Sequence, residues 1–129
     1  MPNLVVPSNG GSETDHVMRT ASDFAGEDGT VVAISVLAGS FVDKGLPPPE
    51  AGRRRRAAED EAERKLLVQA ARARVDCRVI ALFGHVVFDT LLLACNLDAD
   101  AVVMAMDDPE LARMLEQSPI PVVAVPRSG

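Results

Sequence analysis

MAMDDPELARMLEQSPIPVVAVP, Met104–Pro126, holds the end of one apolar strand, a short helix and a second apolar strand. Val122 to Val125 are continuous aliphatic residues, as expected of a strand buried on both faces of a parallel sheet. Pro109 to Gln117 carries Leu111, Met114 and Leu115 on one side, which predicts an amphipathic helix. At the corner between strand and helix stand Asp107, Asp108 and Pro109, with Asp108 expected as N-cap and Pro109 at the first helical position. Strand-to-helix corners of parallel α/β domains are where phosphates usually bind, because the first helical N–H groups lack partners there. This corner instead offers carboxylates.

Working backwards, the same alternation repeats. Ala101–Ala105 is an apolar strand, preceded by an apolar helix over Val86–Asn96 with Leu91, Ala94 and Cys95 expected to face inward. Cys77–Leu82 reads as a third strand, closed by Phe83, Gly84 and His85. Before it, Arg54–Arg74 predicts a helix with Ala58, Ala62, Leu66 and Ala70 on one face and a Glu61–Lys65 pair on another. The Gly- and Pro-rich segment from Ala38 to Gly52 reads as loop. Thr30–Leu37 and Asn3–Val6 are the remaining strands. Between them Val17, Ala21 and Phe24 recur at helical spacing; Ser12 and Asp15 suggest a capping box at the start, and Gly26 a stop. The order β-α-β-α-β-α-β-α-β implies an α/β fold: one doubly wound parallel sheet with right-handed crossovers and helices on both faces.

Composition agrees. A chain of 129 residues is expected to form one domain, spanning residues 1–129, with roughly two-thirds of its surface buried. Aromatics make up only 3% of residues against 47% hydrophobic, so the core is aliphatic. The net charge of −6 opposes nucleic acid as a partner. No apolar run is long enough to span a bilayer, and the start lacks signal-peptide character, which gives the expectation of a cytoplasmic protein. Cys77 and Cys95 have no metal or redox spacing and are expected as buried free thiols. His16 and His85 make no complete metal set with Cys77 or Asp89, and no hydrolase nucleophile elbow exists, so neither a metal site nor an enzyme is expected.

Several segments resemble the universal stress protein family. LVVPSNGGSE, Leu4–Glu13, is similar to the family's first strand and its V-P-x-D-G-S-E turn. DADAVVMA, Asp98–Ala105, resembles its A-D-L-I-V-M-G strand, and SPIPVVAVP, Ser118–Pro126, its closing P-C-P-V-L-V-V strand. Gly84 stands where the family has a glycine before its third helix. The resemblance implies a Rossmann-like five-stranded sheet in the order 3-2-1-4-5. It also implies a homodimer through the last strand, Val122, Val123, Ala124 and Val125, and a stress-response role without catalysis.

The sequence departs from the family's nucleotide-binding pattern, G-x-x-G-x9-G-[ST] after the fourth strand. Met104-Ala105 replaces Met-Gly, Asp108-Pro109 falls where the closing Gly-Ser pair belongs, and Asn9 replaces the first-turn Asp. The expectation is therefore a non-enzymatic interaction module with no cofactor, its ATP loop lost. The alternative is an adenosine-nucleotide sensor, binding ATP or AMP through the turn Asn9, Gly10, Gly11 and Ser12, with Gly84 and His85 at the sheet's carboxyl edge. In that alternative Arg53–Arg56 supplies phosphate contacts. Otherwise that run is a solvated helix face, compensated by Arg55–Glu59 and Arg56–Asp60 pairs.

Overall fold

The computed structural model describes residues 2–8, 13–38 and 45–127. In chain order the elements are β1 Asn3–Pro7, α1 Thr14–Ala25, β2 Thr30–Leu37, α2 Pro48–Ala73, β3 Arg78–Phe83, α3 Val86–Asn96, β4 Ala101–Ala105, α4 Leu111–Gln117 and β5 Val122–Val125. All strand pairs are parallel, and the five strands lie in the order β3-β2-β1-β4-β5. The fold class and strand order expected from the sequence are those observed.

Side chains alternate across the sheet, so each strand feeds two cores. On one face Leu4, Val6, Ala33 and Val103 pack with Val17, Met18 and Ala21 of α1 and Leu66 and Ala70 of α2. On the other, Val5, Ile34, Val102 and Met104 pack with Val87, Leu91 and Ala94 of α3 and Met114 of α4. Because both faces are covered, the central strands have no solvated side, which is why they read as near-continuous apolar runs, interrupted only by Ser35 in β2.

Asn3 ties the amino edge together. Its N–H donates to Asp100 Oδ2 at 2.7 Å, its carbonyl accepts from Asp100 N–H at 2.7 Å, and its Oδ1 accepts from Thr30 Oγ1 at 2.8 Å. The starts of β1, β2 and β4 are thereby aligned.

Four details differ from expectation. α2 begins at Pro48 rather than Arg54, because Pro48 and Pro49 sit in the first turn, where a missing N–H costs nothing. β3 runs one residue later than expected, so Cys77 precedes it. The N-cap of α1 is Glu13, with no side-chain cap bond, while Ser12 lies outside the described residues. Phe24, Cys95 and Leu115 face solvent: the buried rows are Val17, Ala21 and Ala25 in α1, Val87, Leu91 and Ala94 in α3, and Met114 in α4. Cys77 is half-buried, and burial, with the nearby Asp76 charge second, pushes its thiol upward.

Gly29 joins α1 to β2 where two backbones meet. A Cβ there would overlap the carbonyl oxygens of Ala25 and Pro2, and Pro2 accepts the Thr30 N–H at 3.0 Å. Neither carbonyl can move without loosening a strand end or a helix end. Gly29→Ala is therefore expected to lower stability by about 2 kcal/mol or more, read as a fall in the urea midpoint at unchanged m-value.

Candidate functional site

The strand order reverses direction at β1 and β4: α1 carries the chain one way and α4 the other. Ligands of open α/β sheets bind in the crevice this leaves at the strands' carboxyl ends. Here the crevice forms two cavities, one on each side of the β1 terminus, and Pro7, Ser8, Asp108 and Pro109 contribute to both.

The cavity on the α1 side, of about 200 Å³, is walled by Ser8, Glu13, Thr14, Ala105, Asp107 and Asp108. Ser8 Oγ and the buried Thr14 Oγ1 are 3.0 Å apart and share a hydrogen bond. Arg127, just beyond β5, donates through Nε to Asp107 Oδ2 at 2.9 Å, and that bond holds the guanidinium's pKa above its usual value. The neighbouring Pro126 carbonyl lies 3.1 Å from His16 Nε2 of α1.

The cavity on the α3–α4 side, of about 180 Å³, is mainly aliphatic: Ile34, Val86, Met104 and Met114, with Ser8, Thr90, Asp108 and Glu110 as its polar members. Thr90 is 1% exposed, and its Oγ1 has no hydrogen-bond partner among the described residues. Thr20 of α1 shows the ordinary solution, donating from Oγ1 to the His16 carbonyl at 2.9 Å.

The corner after β4 is built differently from expectation. α4 starts at Leu111 with Glu110 as N-cap, so Asp108 is not the N-cap. Asp108 still serves the helix start, since its Oδ1 accepts the Glu110 N–H at 2.8 Å in an Asx turn. Leu111 N–H donates to the Asp108 carbonyl at 3.0 Å and Asp108 N–H to the Ala105 carbonyl at 3.1 Å. Three N–H groups at this corner are thus already committed within the chain.

Of the residues singled out from the sequence, Asn9, Gly10, Gly11 and Ser12 lie outside the described residues. Gly84 and His85 follow the edge strand β3, two strands from β1, and neither lines the two cavities. They form the entry to α3, where the His85 N–H donates to Asp89 Oδ2 at 2.7 Å. A Cβ on residue 84 would collide with that carboxylate. Thr90 was not singled out, because a lone threonine in an apolar helix carries no sequence signal.

Val123 packs against the α1–α2 core, Val122 against the α3–α4 core, and Val125 is buried. The outward offering of β5 is therefore its backbone. Arg55 lies over the Phe83 ring, 5.2 Å from its centroid, and Glu61 pairs with Arg64 rather than Lys65. The expected Arg56–Asp60 pair is not among the ion pairs of the described residues. Among the described residues no group of three or more His, Cys, Asp or Glu is placed to hold a metal, and no helix is long and apolar enough to cross a membrane.

The universal stress protein family model matches residues 1–126. The chain belongs to the universal stress protein family. No curated protein matches it in sequence. Solved structures with the same fold include a family member from Burkholderia pseudomallei, at 18% identity and TM-score 0.69, covering 97% of this chain and 96% of that one. A second, from Archaeoglobus fulgidus in complex with dAMP, has 19% identity and TM-score 0.62, covering 96% of each chain. A third, from Arabidopsis thaliana with AMP bound, has 11% identity and TM-score 0.65, covering 100% of this chain and 94% of that one. At these identities the likeness concerns the fold.

For this family member, the Gly84–Asp89 contact has a direct test. Gly84→Ala is expected to cost about 1–2 kcal/mol by displacing the Asp89 carboxylate from the His85 N–H. Asp89→Ala added to it should cost little more, because the two changes break the same bond. Full additivity in a double-mutant cycle would show that the glycine is needed for another reason.

Proposed function

We infer that this universal stress protein acts by protein contact, as a homodimeric stress-response module without catalysis, its family ATP loop replaced by a closed acidic corner. One observation carries the reading: the N–H groups of Asp108, Glu110 and Leu111 are bonded to acceptors within the corner itself. A phosphate site needs such groups unpaired and a glycine nest to present them, and no glycine occurs between Gly84 and Gly129. Asp108, without a cation partner among the described residues, would repel an arriving phosphate by about 1–4 kcal/mol at ~4 Å, whereas Asp107 and Glu110 are offset by Arg127 and Arg113. Calorimetry is expected to give no heat with ATP at millimolar concentration; a saturable isotherm would overturn this part of the reading.

The dimer is supported by the exposed edge of β5. The carbonyls of Pro121 and Val125 accept from Val102 and Met106 of the β4 side, so by parallel-ladder alternation Val123 also addresses β4. Val122 and Ala124 then present their backbone groups outward, where a second copy can pair. Sedimentation is expected to show a dimer at micromolar concentration. Ala124→Pro removes an outward N–H while sparing the β4 ladder, and should shift the population to monomer with the fold intact by circular dichroism. An unchanged dimer would place the interface elsewhere.

A second reading has support from relatives. Proteins of this fold are known with cAMP, dAMP and AMP bound. The adenosine-nucleotide sensor seated at Asn9–Ser12, with Arg53–Arg56 as phosphate contacts, is that reading. AMP in the same calorimeter separates it from the first, since a nucleoside monophosphate asks less of the β4–α4 corner than ATP does.

A further inference from the structure

The cavity between α3 and α4 has a polar demand that the chain does not meet. Thr90 Oγ1 is buried without a partner, although the same residue type in α1 satisfies itself on its own helix. A buried hydroxyl left in that state is costly, and natural chains keep such groups few. Beside it the wall is chiefly aliphatic, with Ile34, Met104 and Met114, and Asp108 stands at the border.

Charge at the cavity is equally one-sided. Asp107, at the neighbouring cavity, is matched by Arg127 at 2.9 Å and Glu110 by Arg113 at 3.8 Å. Asp108 borders the cavity and, among the described residues, has no cation partner. Its Oδ1 accepts the Glu110 N–H. The volume of about 180 Å³ is that of one ring or two fused rings; an engineered apolar cavity of about 150 Å³ is known to hold benzene.

We propose that this cavity is a binding site for a small protonated amine with a compact apolar body: the body against Ile34, Met104 and Met114, a polar atom within reach of Thr90, and the ammonium at Asp108. The assignment rests on the inference that this corner refuses phosphate, and it goes further in naming what the corner accepts. Thr90 and Asp108 become the residues that set specificity, by hydrogen bonding and by charge. A buried hydroxyl without a partner among the described residues is the expected signature of a group that pairs with a ligand.

Three probes with one ring and different charge test it: benzylamine, benzyl alcohol and benzoate, titrated into the 15N-labelled full chain and followed by NMR. Benzylamine is expected to bind at least fivefold more tightly than benzyl alcohol, with benzoate weakest, and the shifted amides should cluster around Thr90, Met104 and Asp108. Asp108→Asn keeps the acceptor that caps Glu110, so the corner should persist while the advantage of benzylamine over benzyl alcohol falls to about twofold or less. Thr90→Val keeps the shape and removes the hydroxyl. It should weaken benzyl alcohol about three- to tenfold while raising the melting temperature of the empty protein by about 3–5 °C.

Benzoate binding as tightly as benzylamine would overturn the proposal. So would a lower melting temperature for Thr90→Val, which would mean the hydroxyl already has a structural partner, or shifts located away from the cavity. An AMP titration run alongside distinguishes the two inferences: AMP binding with the charge order reversed sinks both, whereas silence from AMP and all three probes sinks only this one.

Discussion

A parallel sheet whose crossovers leave β1 and β4 in opposite directions cannot close its own middle. The first crossover carries α1 over the face shared with α2, and the last carries α4 over the face shared with α3. At the carboxyl ends of β1 and β4 the chains therefore part, and whatever occupies the two corners decides what the crevice can hold. The rest of the molecule keeps that geometry rigid. The central strands are aliphatic on both faces, and Asn3, Thr30 and Asp100 pin the opposite edge so that the strands cannot slide.

Within this frame the corners that follow β3 and β4 do different work. The β3–α3 corner is structural: Gly84 clears space for Asp89, which caps the helix through the His85 N–H. At the β4–α4 corner a carboxylate likewise accepts the N–H of the N-cap residue, Asp108 taking that of Glu110, but it stands at the crevice instead of at the sheet edge. Capping satisfies the helix start and, by the same bonds, removes the donors an anion would need. In the proposed reading, local stability and the refusal of phosphate are one interaction seen from two sides.

The alternation of apolar runs was enough to read five strands, four helices and their order, because a strand buried on both faces and an amphipathic helix leave distinct periods. The errors fall where backbone chemistry overrides period. Pro48 and Pro49 read as loop although proline is at home in a first helical turn. Asp108 read as N-cap, whereas its Asx turn sets the helix start two residues later. Phe24 and Leu115 read as core because a large apolar residue at nearly the right spacing looks inward, yet the smaller Ala25 and the neighbouring Met114 hold the buried positions. The acidity of the crevice was legible in Asp107 and Asp108. The unpaired Thr90 was not, since only the packing of α3 shows that no acceptor reaches it.

On the proposed reading, the carboxylates also bear on how mutation could admit a phosphate. Neutralising Asp107 would free Arg127, a cation near the crevice, and in charge alone this favours a phosphate. The N–H groups of Asp108, Glu110 and Leu111 would remain bonded to Ala105 and Asp108 acceptors, because those bonds do not depend on Asp107. Removing Asp108's carboxylate frees only the Glu110 N–H, while the carbonyl contacts persist in any residue at that position. Charge is the easier of the two barriers to lift. The path of the backbone, set by a corner without glycine, is the barrier that a single substitution leaves standing.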